Sequence, residues 1–414
     1  MRKFLTLLVA AALVYGVART TGNELAANTA QAEAPIQIGA LLPLTGALAS
    51  YGEASQLLLD EAVSSIENGG GEVLLRVEDT NSSPQLALQQ LKAMHGSGIR
   101  IVIGPYSSSE VAAVLPFANE NGIILISPLS TAHSLAIESD NLFRFTPDDV
   151  EEGVAVANLA WNDGVKALIL VNRDDTGNRG LTTAMRTAFP KLGGMAVDGI
   201  VYGPNETDFS DEIARLETIL ASTSVLEGEV GVYLAGFGEV GNLLTAAAQS
   251  ESLSSLKWYG SNSVALSGEL LQNIPGAAFA VKAGYPNPIL GLRSQDEPQW
   301  GPISNRVSNE LGRAPDAFAL AAYDSLMIAY EAAEHIGDRL NSEETAPALR
   351  YQLPVLANMT TGLTGPLHLN AAGDRDEASY DFWSVCERGA GVFTWVKSAT
   401  YSAGDDVKKL PTFC

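Results

Sequence analysis

The feature that most constrains this chain is a regular alternation of short apolar runs with longer segments of helical periodicity. Ile36–Leu42 has the pattern of a buried strand, and a small loop (43–46) separates it from a helix at about 47–67. Further strands are predicted near 73–77, 99–103 and 123–126, with helices near 84–95 and 107–121. Strands that alternate with helices of this length predict a parallel sheet covered on both faces.

A second series of the same kind begins after residue 146. Thr146 is a suitable N-cap and Pro147 suits a first helical position, so this pair is predicted to open the first helix of the series. The strands are predicted near 165–172, 196–202, 230–235 and 256–260, the helices near 178–191, 209–221, 238–250 and 266–273. A long helical region at about 303–338 and short strands near 366–369, 380–386 and 391–397 complete the chain. The sequence therefore predicts two α/β units of similar size.

The first residues have the pattern of a secretory signal. Arg2 and Lys3 precede an apolar run over 4–18, which is short for a membrane span. Cleavage sites are offered by 30–32 (Ala-Gln-Ala) and by 16–18 (Gly-Val-Ala). We assign 1–34 to a signal peptide and linker and expect export to the periplasm or the outer face of the cell membrane. An uncleaved N-terminal anchor is the alternative.

The charge and the histidines exclude several classes of function. The chain has 48 acidic and 25 basic residues and a formal charge of −23, which argues against a nucleic-acid surface. Its four histidines have no metal-ligand spacing, and there is no nucleotide-binding loop or Gly-x-Ser-x-Gly motif. We therefore expect no enzyme activity, no catalytic residue, no metal and no cofactor.

Several segments in a fixed order resemble the branched-chain amino-acid-binding (leucine/isoleucine/valine-binding-like) family of type I periplasmic solute-binding proteins. They are the segments 38–52, 103–109 (Ile-Gly-Pro-Tyr-Ser-Ser-Ser), 126–131 (Ile-Ser-Pro-Leu-Ser-Thr), 143–146, 322–324 and 365–369. The resemblance implies two lobes with mostly parallel sheets, three crossovers and a ligand in the cleft between the lobes. By analogy, lobe one is 35–146 plus 287–376 and lobe two is 147–286 plus 377–414.

The resemblance also implies which residues of lobe one bind the ligand. The positions matching Ser108, Leu129 and Thr131 hold the ligand's carboxylate and ammonium in the family, with Leu129 acting through its backbone carbonyl. The predicted strand 99–103 leads into a helix that opens at Ser107, and a helix N-terminus at the carboxyl end of a strand attracts anions. The hydroxyl of Ser109 adds a further hydrogen-bonding group to this predicted anion site. The alternative is that these are ordinary cap and turn residues.

Lobe two departs from the family pattern. Thr176 and Phe237 stand where tyrosines are common, and Asn262 stands where an acid often pairs with the ligand ammonium. Loss of that acid removes a charge-assisted hydrogen bond. The ligand is then neutral or anionic, or another acid such as Glu239 or Asp175 takes its place. Tyr51 and Tyr106 are expected to face the cleft and to provide apolar walls.

The resulting interpretation is an extracytoplasmic substrate-binding component of an ABC transporter, which binds a branched-chain or other small amino acid. The alternatives are a binder of urea-like amides or small organic acids, and a ligand sensor on a separate chain. We expect a monomer that delivers its ligand to a membrane permease. Cys386 and Cys414 are predicted to form a disulfide, because an isolated pair in an exported chain meets an oxidising compartment. Two reduced thiols are the alternative.

Overall fold

A computed structural model describes residues 35–411, apart from 224–228, 341 and 377. The predicted signal segment 1–34 and the C-terminal residues, including Cys414, lie outside the described residues. Among the helices of the described ranges, none is long and apolar enough to span a membrane.

The first lobe is built on a five-stranded parallel sheet in the order β2-β1-β3-β4-β5. Its strands are β1 (Ile36–Leu42), β2 (Val73–Asp79), β3 (Ile101–Ile103), β4 (Ile124–Ser127) and β5 (Leu142–Arg144). The connecting helices are α1 (Ala49–Asn68), α2 (Pro84–Gly96) and α3 (Ser108–Glu120). The strands β3 and β4 are buried along their whole length, because helices cover both faces of the sheet.

The second lobe repeats this design with a four-stranded parallel sheet in the order β7-β6-β8-β9. Its strands are β6 (Ala167–Arg173), β7 (Met195–Tyr202), β8 (Val230–Ala235) and β9 (Lys257–Tyr259). Its helices are α4 (Asp149–Asn162), α5 (Thr176–Ala188), α6 (Ser210–Ser222), α7 (Val240–Ala247), α8 (Glu251–Ser254), α9 (Gly268–Gln272) and α10 (Ile274–Ala283).

The rest of the chain returns to both lobes. It comprises β10 (Asn287–Leu290), α11 (Glu297–Leu311), α12 (Ala317–Ile336), α13 (Thr345–Met359), β11 (Thr361–Gly362), β12 (Gly365–Pro366), β13 (Ser379–Glu387), β14 (Phe393–Ser402) and β15 (Lys408–Lys409). Helices α12 and α13 pack into the core of the first lobe, while β13 and β14 pack against the second. β10, β13, β14 and β15 form an antiparallel sheet. The predicted α/β architecture with three crossovers is confirmed.

Three local predictions were wrong. The helix after the first crossover begins at Asp149, because the Asp148 side chain accepts from the Val150 N–H, so Asp148 and not Thr146 is the N-cap. The predicted long helix at 303–338 is two helices. Gly312 ends the first with a φ of 71°, and the Asp316 side chain caps the second. The pattern also missed α10 and α13.

Candidate functional site

The three serines after β3 have different roles. Ser107 is the N-cap of α3: its hydroxyl accepts from the Glu110 N–H at 3.2 Å, and the Glu110 carboxylate accepts from the Ser107 N–H at 2.9 Å. This reciprocal cap places the start of α3 at the carboxyl end of the sheet. Ser107 thus caps the helix that the sequence predicts to open at this residue.

The next two serines connect the turn to other loops. The Ser108 hydroxyl accepts from the Ala132 N–H at 3.2 Å and from the Ser130 hydroxyl at 3.1 Å. The Ser109 hydroxyl accepts from the Thr176 N–H at 3.0 Å, and Thr176 belongs to the second lobe. The serine turn thus contacts the loop after β4 and the first residue of α5.

A buried arginine supports the loop after β4, which contains Leu129 and Thr131. The Arg144 guanidinium donates to the carbonyl oxygens of Ser130 at 3.3 Å and Ala132 at 2.8 Å. It also forms a two-pronged ion pair with Asp374. Sequence reasoning singled out Arg144 only as part of a motif and missed this supporting role.

Asn262 lies directly opposite Thr131. Its side-chain amide donates to the Thr131 hydroxyl at 3.3 Å, and its backbone N–H donates to a Glu152 carboxylate oxygen at 3.1 Å. The Ser263 hydroxyl donates to its amide oxygen at 2.8 Å. Asn262 follows β9 and Thr131 follows β4, so the carboxyl ends of both parallel sheets meet here.

Tyr51 and Tyr106, which the sequence predicts to face the cleft, are both buried, and Tyr51 reaches the second lobe. The Tyr51 hydroxyl donates to the Ala265 carbonyl oxygen of the second lobe at 2.7 Å, and its ring packs on Phe318 with centroids 6.0 Å apart. Tyr106 belongs to the same apolar cluster, which also contains Phe237. Burial raises the pKa of both tyrosines, so both stay neutral.

Beside the serine turn, the cleft opens into a cavity of about 790 Å³. Ser107 and Ser109 line it from the first lobe, and Thr176, Phe237 and Arg173 line it from the second. The Arg173 guanidinium lies 4.8 Å from the centre of the Phe237 ring. Sequence reasoning missed Arg173, although it stands at the carboxyl end of the predicted strand 165–172.

Arg173 forms ion pairs with the two acids, Asp175 and Glu239, that the sequence offered as partners of a ligand ammonium group. It contacts Asp175 at 3.0 Å and Glu239 at 3.2 Å. Glu239 also accepts from the Tyr202 hydroxyl at 2.9 Å, and Asp175 caps α5. Both carboxylates therefore already have a cationic partner in the second lobe.

The sequence of residues 35–377 matches the family model described as periplasmic binding protein, which spans most of the chain. The chain belongs to this family. Among its relatives is a Leu/Ile/Val-binding protein of Rhizobium johnstonii, which is 27% identical to this chain over 348 residues. The alignment covers 81% of this chain and 90% of that protein.

Solved structures share the type I periplasmic binding protein fold. The branched-chain amino-acid transporter substrate-binding protein LivJ of Streptococcus pneumoniae, in complex with isoleucine, aligns with a TM-score of 0.69 at 20% identity, over 88% of this chain and 100% of that one. An ABC-transporter solute-binding protein of R. palustris, in complex with benzoate, aligns with a TM-score of 0.71 at 19% identity, over 88% and 96%.

Metal-ligating side chains and cysteines are the other candidate groups of this periplasmic binding protein. No cluster of His, Cys, Asp and Glu suited to a metal occurs in the ranges 35–223, 229–340, 342–376 and 378–411. Cys386 is fully buried near the end of β13. Its predicted bridge to Cys414 stays a prediction, since Cys414 lies outside the described residues.

Proposed function

We propose that this chain is the extracytoplasmic substrate-binding component of an ABC transporter, and that it binds a branched-chain or other small amino acid between its lobes. One observation carries the proposal. Polar groups from the carboxyl ends of both parallel sheets face one another. The Thr176 backbone N–H donates to the Ser109 hydroxyl, and the Asn262 side-chain amide donates to the Thr131 hydroxyl. A ligand between the lobes can take the place of these cross-cleft hydrogen bonds and bind hydroxyl and amide groups that are already positioned.

The proposed binding set is the one that the sequence predicts. It consists of Tyr51, Tyr106, Ser108, Ser109, Leu129, Thr131, Thr176, Phe237 and Asn262. We propose lobe limits of 35–146 plus 287–376 and 147–286 plus 377–414, with ligand-dependent closure about the crossovers. The cross-cleft hydrogen bonds of Tyr51 and Ser109 support this, because hinge opening would break them.

The protein is exported and serves a membrane permease in this proposal. The charged and then apolar start of the chain supports export, and membership of the periplasmic binding protein family supports delivery of the ligand to a membrane permease. We further propose that the protein is a monomer and acts by binding alone, without catalysis or cofactor.

A ligand screen tests the proposal. Purified exported protein, dialysed to remove bound ligand, is examined by thermal shift and calorimetry with L-leucine, L-isoleucine, benzoate and urea. We expect an amino acid to raise the melting temperature and to bind with one-to-one stoichiometry. Folded protein that binds none of these compounds contradicts the proposal.

A small organic acid is the second candidate ligand. The neutral amide of Asn262 favours it, since this side chain supplies no countercharge to an ammonium group. Tighter binding of benzoate than of either amino acid in the same screen would establish this alternative.

A further inference from the structure

Two carboxylates are buried next to the candidate site without a cationic partner of their own. Asp149 is 0% and Glu152 1% exposed, and both lie in the first turn of α4. Within the described ranges, one side-chain oxygen of Glu152 has no hydrogen-bond partner, and the Asp149 carboxylate makes no hydrogen bond within 3.5 Å, although the nearby Thr131 hydroxyl acts on its pKa. Buried carboxylates normally have paired charges or full hydrogen bonding, so this pair is unusual.

Both acids contact the residues that meet across the cleft. A Glu152 oxygen accepts from the Asn262 N–H at 3.1 Å, and the Asp149 N–H donates to the Thr131 carbonyl oxygen at 2.9 Å. Gly180 makes room for the Asp149 carboxylate, since a side chain there would place its Cβ 2.2 Å from an oxygen of Asp149. The carboxylates thus lie directly behind the Thr131–Asn262 pair.

Most of the charged groups around Asp149 and Glu152 already form ion pairs with other residues. Arg144 of β5 forms its two-pronged pair with Asp374 and lies 3.6 Å from Asp148. His133 contacts Asp148 at 2.8 Å. The remaining neighbours are acids or phenols: Glu151 on α4, Tyr233 on β8 and Tyr380 on β13.

We propose that Asp149 and Glu152 are the countercharge for a cationic amino group of the ligand, and that ligand binding displaces a proton from this pair to the solvent. The inference rests on the proposed function and deepens it, since it selects ligands that carry an ammonium group. In the step, a carboxylic O–H bond breaks, the proton passes to the buffer, and the carboxylate formed pairs with the ammonium. Total charge and atoms are conserved.

The protonation behaviour of the two acids supports this step. Burial raises the pKa of Asp149 to about 7, against the lowering influence of Thr131 and Arg144. Burial, and then the charge of Asp149, raise the pKa of Glu152 well above its usual range. A buried acid pair without a cation therefore keeps a proton near neutral pH, which an incoming ammonium replaces.

The test compares L-leucine with 4-methylpentanoate, which has the same skeleton without the amino group. Calorimetry in phosphate and in Tris, two buffers with different ionisation heats, gives the number of protons released on binding. We expect wild type to prefer leucine, to release protons when leucine binds, and to bind leucine more tightly at pH 8 than at pH 6.

The variants Glu152→Gln and Asp149→Asn keep the shape of each side chain and remove its charge. Each is expected to reduce proton release and to lower the leucine preference about 10- to 100-fold. Glu151→Gln, on the same helical turn, is the matched control and should change neither quantity. Circular dichroism shows that a variant is folded, and if one of the two does not fold, the other decides the test.

The possible results separate the two proposals. If leucine binds without proton release and the folded variants keep its preference, this inference is overturned and the proposed function stands. Preferred binding of 4-methylpentanoate by wild type also overturns it. If neither compound nor any amino acid binds, the proposed function fails and this inference fails with it.

Discussion

Arg144 and Asp374 form a buried two-pronged ion pair, with N–O distances of 2.5 and 2.6 Å. The two residues are 230 positions apart in sequence, and their backbones also pair as an isolated parallel bridge. Arg144 ends β5 at the first crossover, and Asp374 precedes the third. The pair therefore joins two segments that run between the lobes and supports the loop that contains Thr131.

Removing one member of this pair should destabilise the protein strongly. Asp374→Asn leaves the Arg144 charge buried beside a neutral amide, and we expect a loss of about 3 kcal/mol in the free energy of unfolding. Urea unfolding followed by circular dichroism measures this. Asp376→Asn, at an exposed position two residues away, is the control and should change stability by less than about 0.5 kcal/mol. Equal stability of both variants would contradict the prediction.

Ser108→Ala should weaken ligand binding. The substitution removes the acceptor of the Ala132 N–H and the hydroxyl that is proposed to contact the ligand. We expect binding to weaken by roughly 1–3 kcal/mol, measured by calorimetry with the amino acid that binds wild type. Ser255→Ala, which removes an exposed hydroxyl of the second lobe, should leave the affinity unchanged. An unchanged affinity in Ser108→Ala would remove this residue from the binding set.

Tyr51→Phe should favour the open form. The variant keeps the ring on Phe318 and loses only the hydrogen bond to the Ala265 carbonyl oxygen across the cleft. We expect closure to become less favourable by about 1 kcal/mol, so that ligand affinity falls about fivefold. Small-angle scattering of the ligand-free protein should show a larger radius of gyration. Tyr351→Phe, at a 75% exposed position, is the control, and equal behaviour of the two variants would refute the cross-cleft role.

The buried acids predict a pH dependence of stability. Because folding raises the pKa of Asp149 to about 7, the folded protein holds a proton that the unfolded chain releases near its ordinary value of 3.8. The contribution of this proton to the free energy of unfolding is complete below pH 3.8. It is lost as the pH rises towards 7 and beyond, by at most roughly 4 kcal/mol.

Asparagine does not titrate, so Asp149→Asn lacks this pH-dependent contribution. Its free energy of unfolding relative to that of ligand-free wild type should therefore increase from pH 5 to pH 8. Urea unfolding at the two pH values measures the difference. Asp211→Asn, at an exposed position in the first turn of α6, should follow wild type at both. A constant difference between Asp149→Asn and wild type would show that Asp149 has the same pKa in both states.

The cysteine pair should be bridged in exported protein. Cys386 is fully buried, and closing the loop from 386 to 414 should contribute about 3–4 kcal/mol in the chain-entropy model. Mass spectrometry after alkylation without reductant should find no modified cysteine, and two modified cysteines after unfolding in reductant. Alkylation of both in unreduced, unfolded protein would contradict the bridge.

Much of the fold follows from local patterns. The apolar runs of β3 and β4 and the cap chemistry of Ser107 are decided within a few residues, and the predicted elements agree with the structure there. The pattern failed for α10 and α13. Each contains a proline, Pro275 in the first turn of α10 and Pro354 inside α13. Most residues of α10 are apolar, so it shows no polar face, whereas α13 does bury Leu349, Leu353 and Leu356 at helical spacing and the proline within it obscured the pattern.

The sequence by itself determined the two α/β lobes, the serine turn and the polar residues that follow the central strands, because strand and helix periodicity and capping are local properties. Only the tertiary structure decided which acids have a cationic partner and which are buried without one. Glu239 has a cationic partner because packing brings Arg173 beside it, whereas Asp149 and Glu152 are buried next to Thr131 and Asn262 of other loops. These side chains come from segments far apart in sequence, and the state of a charge depends on the solvent and partners that packing leaves it.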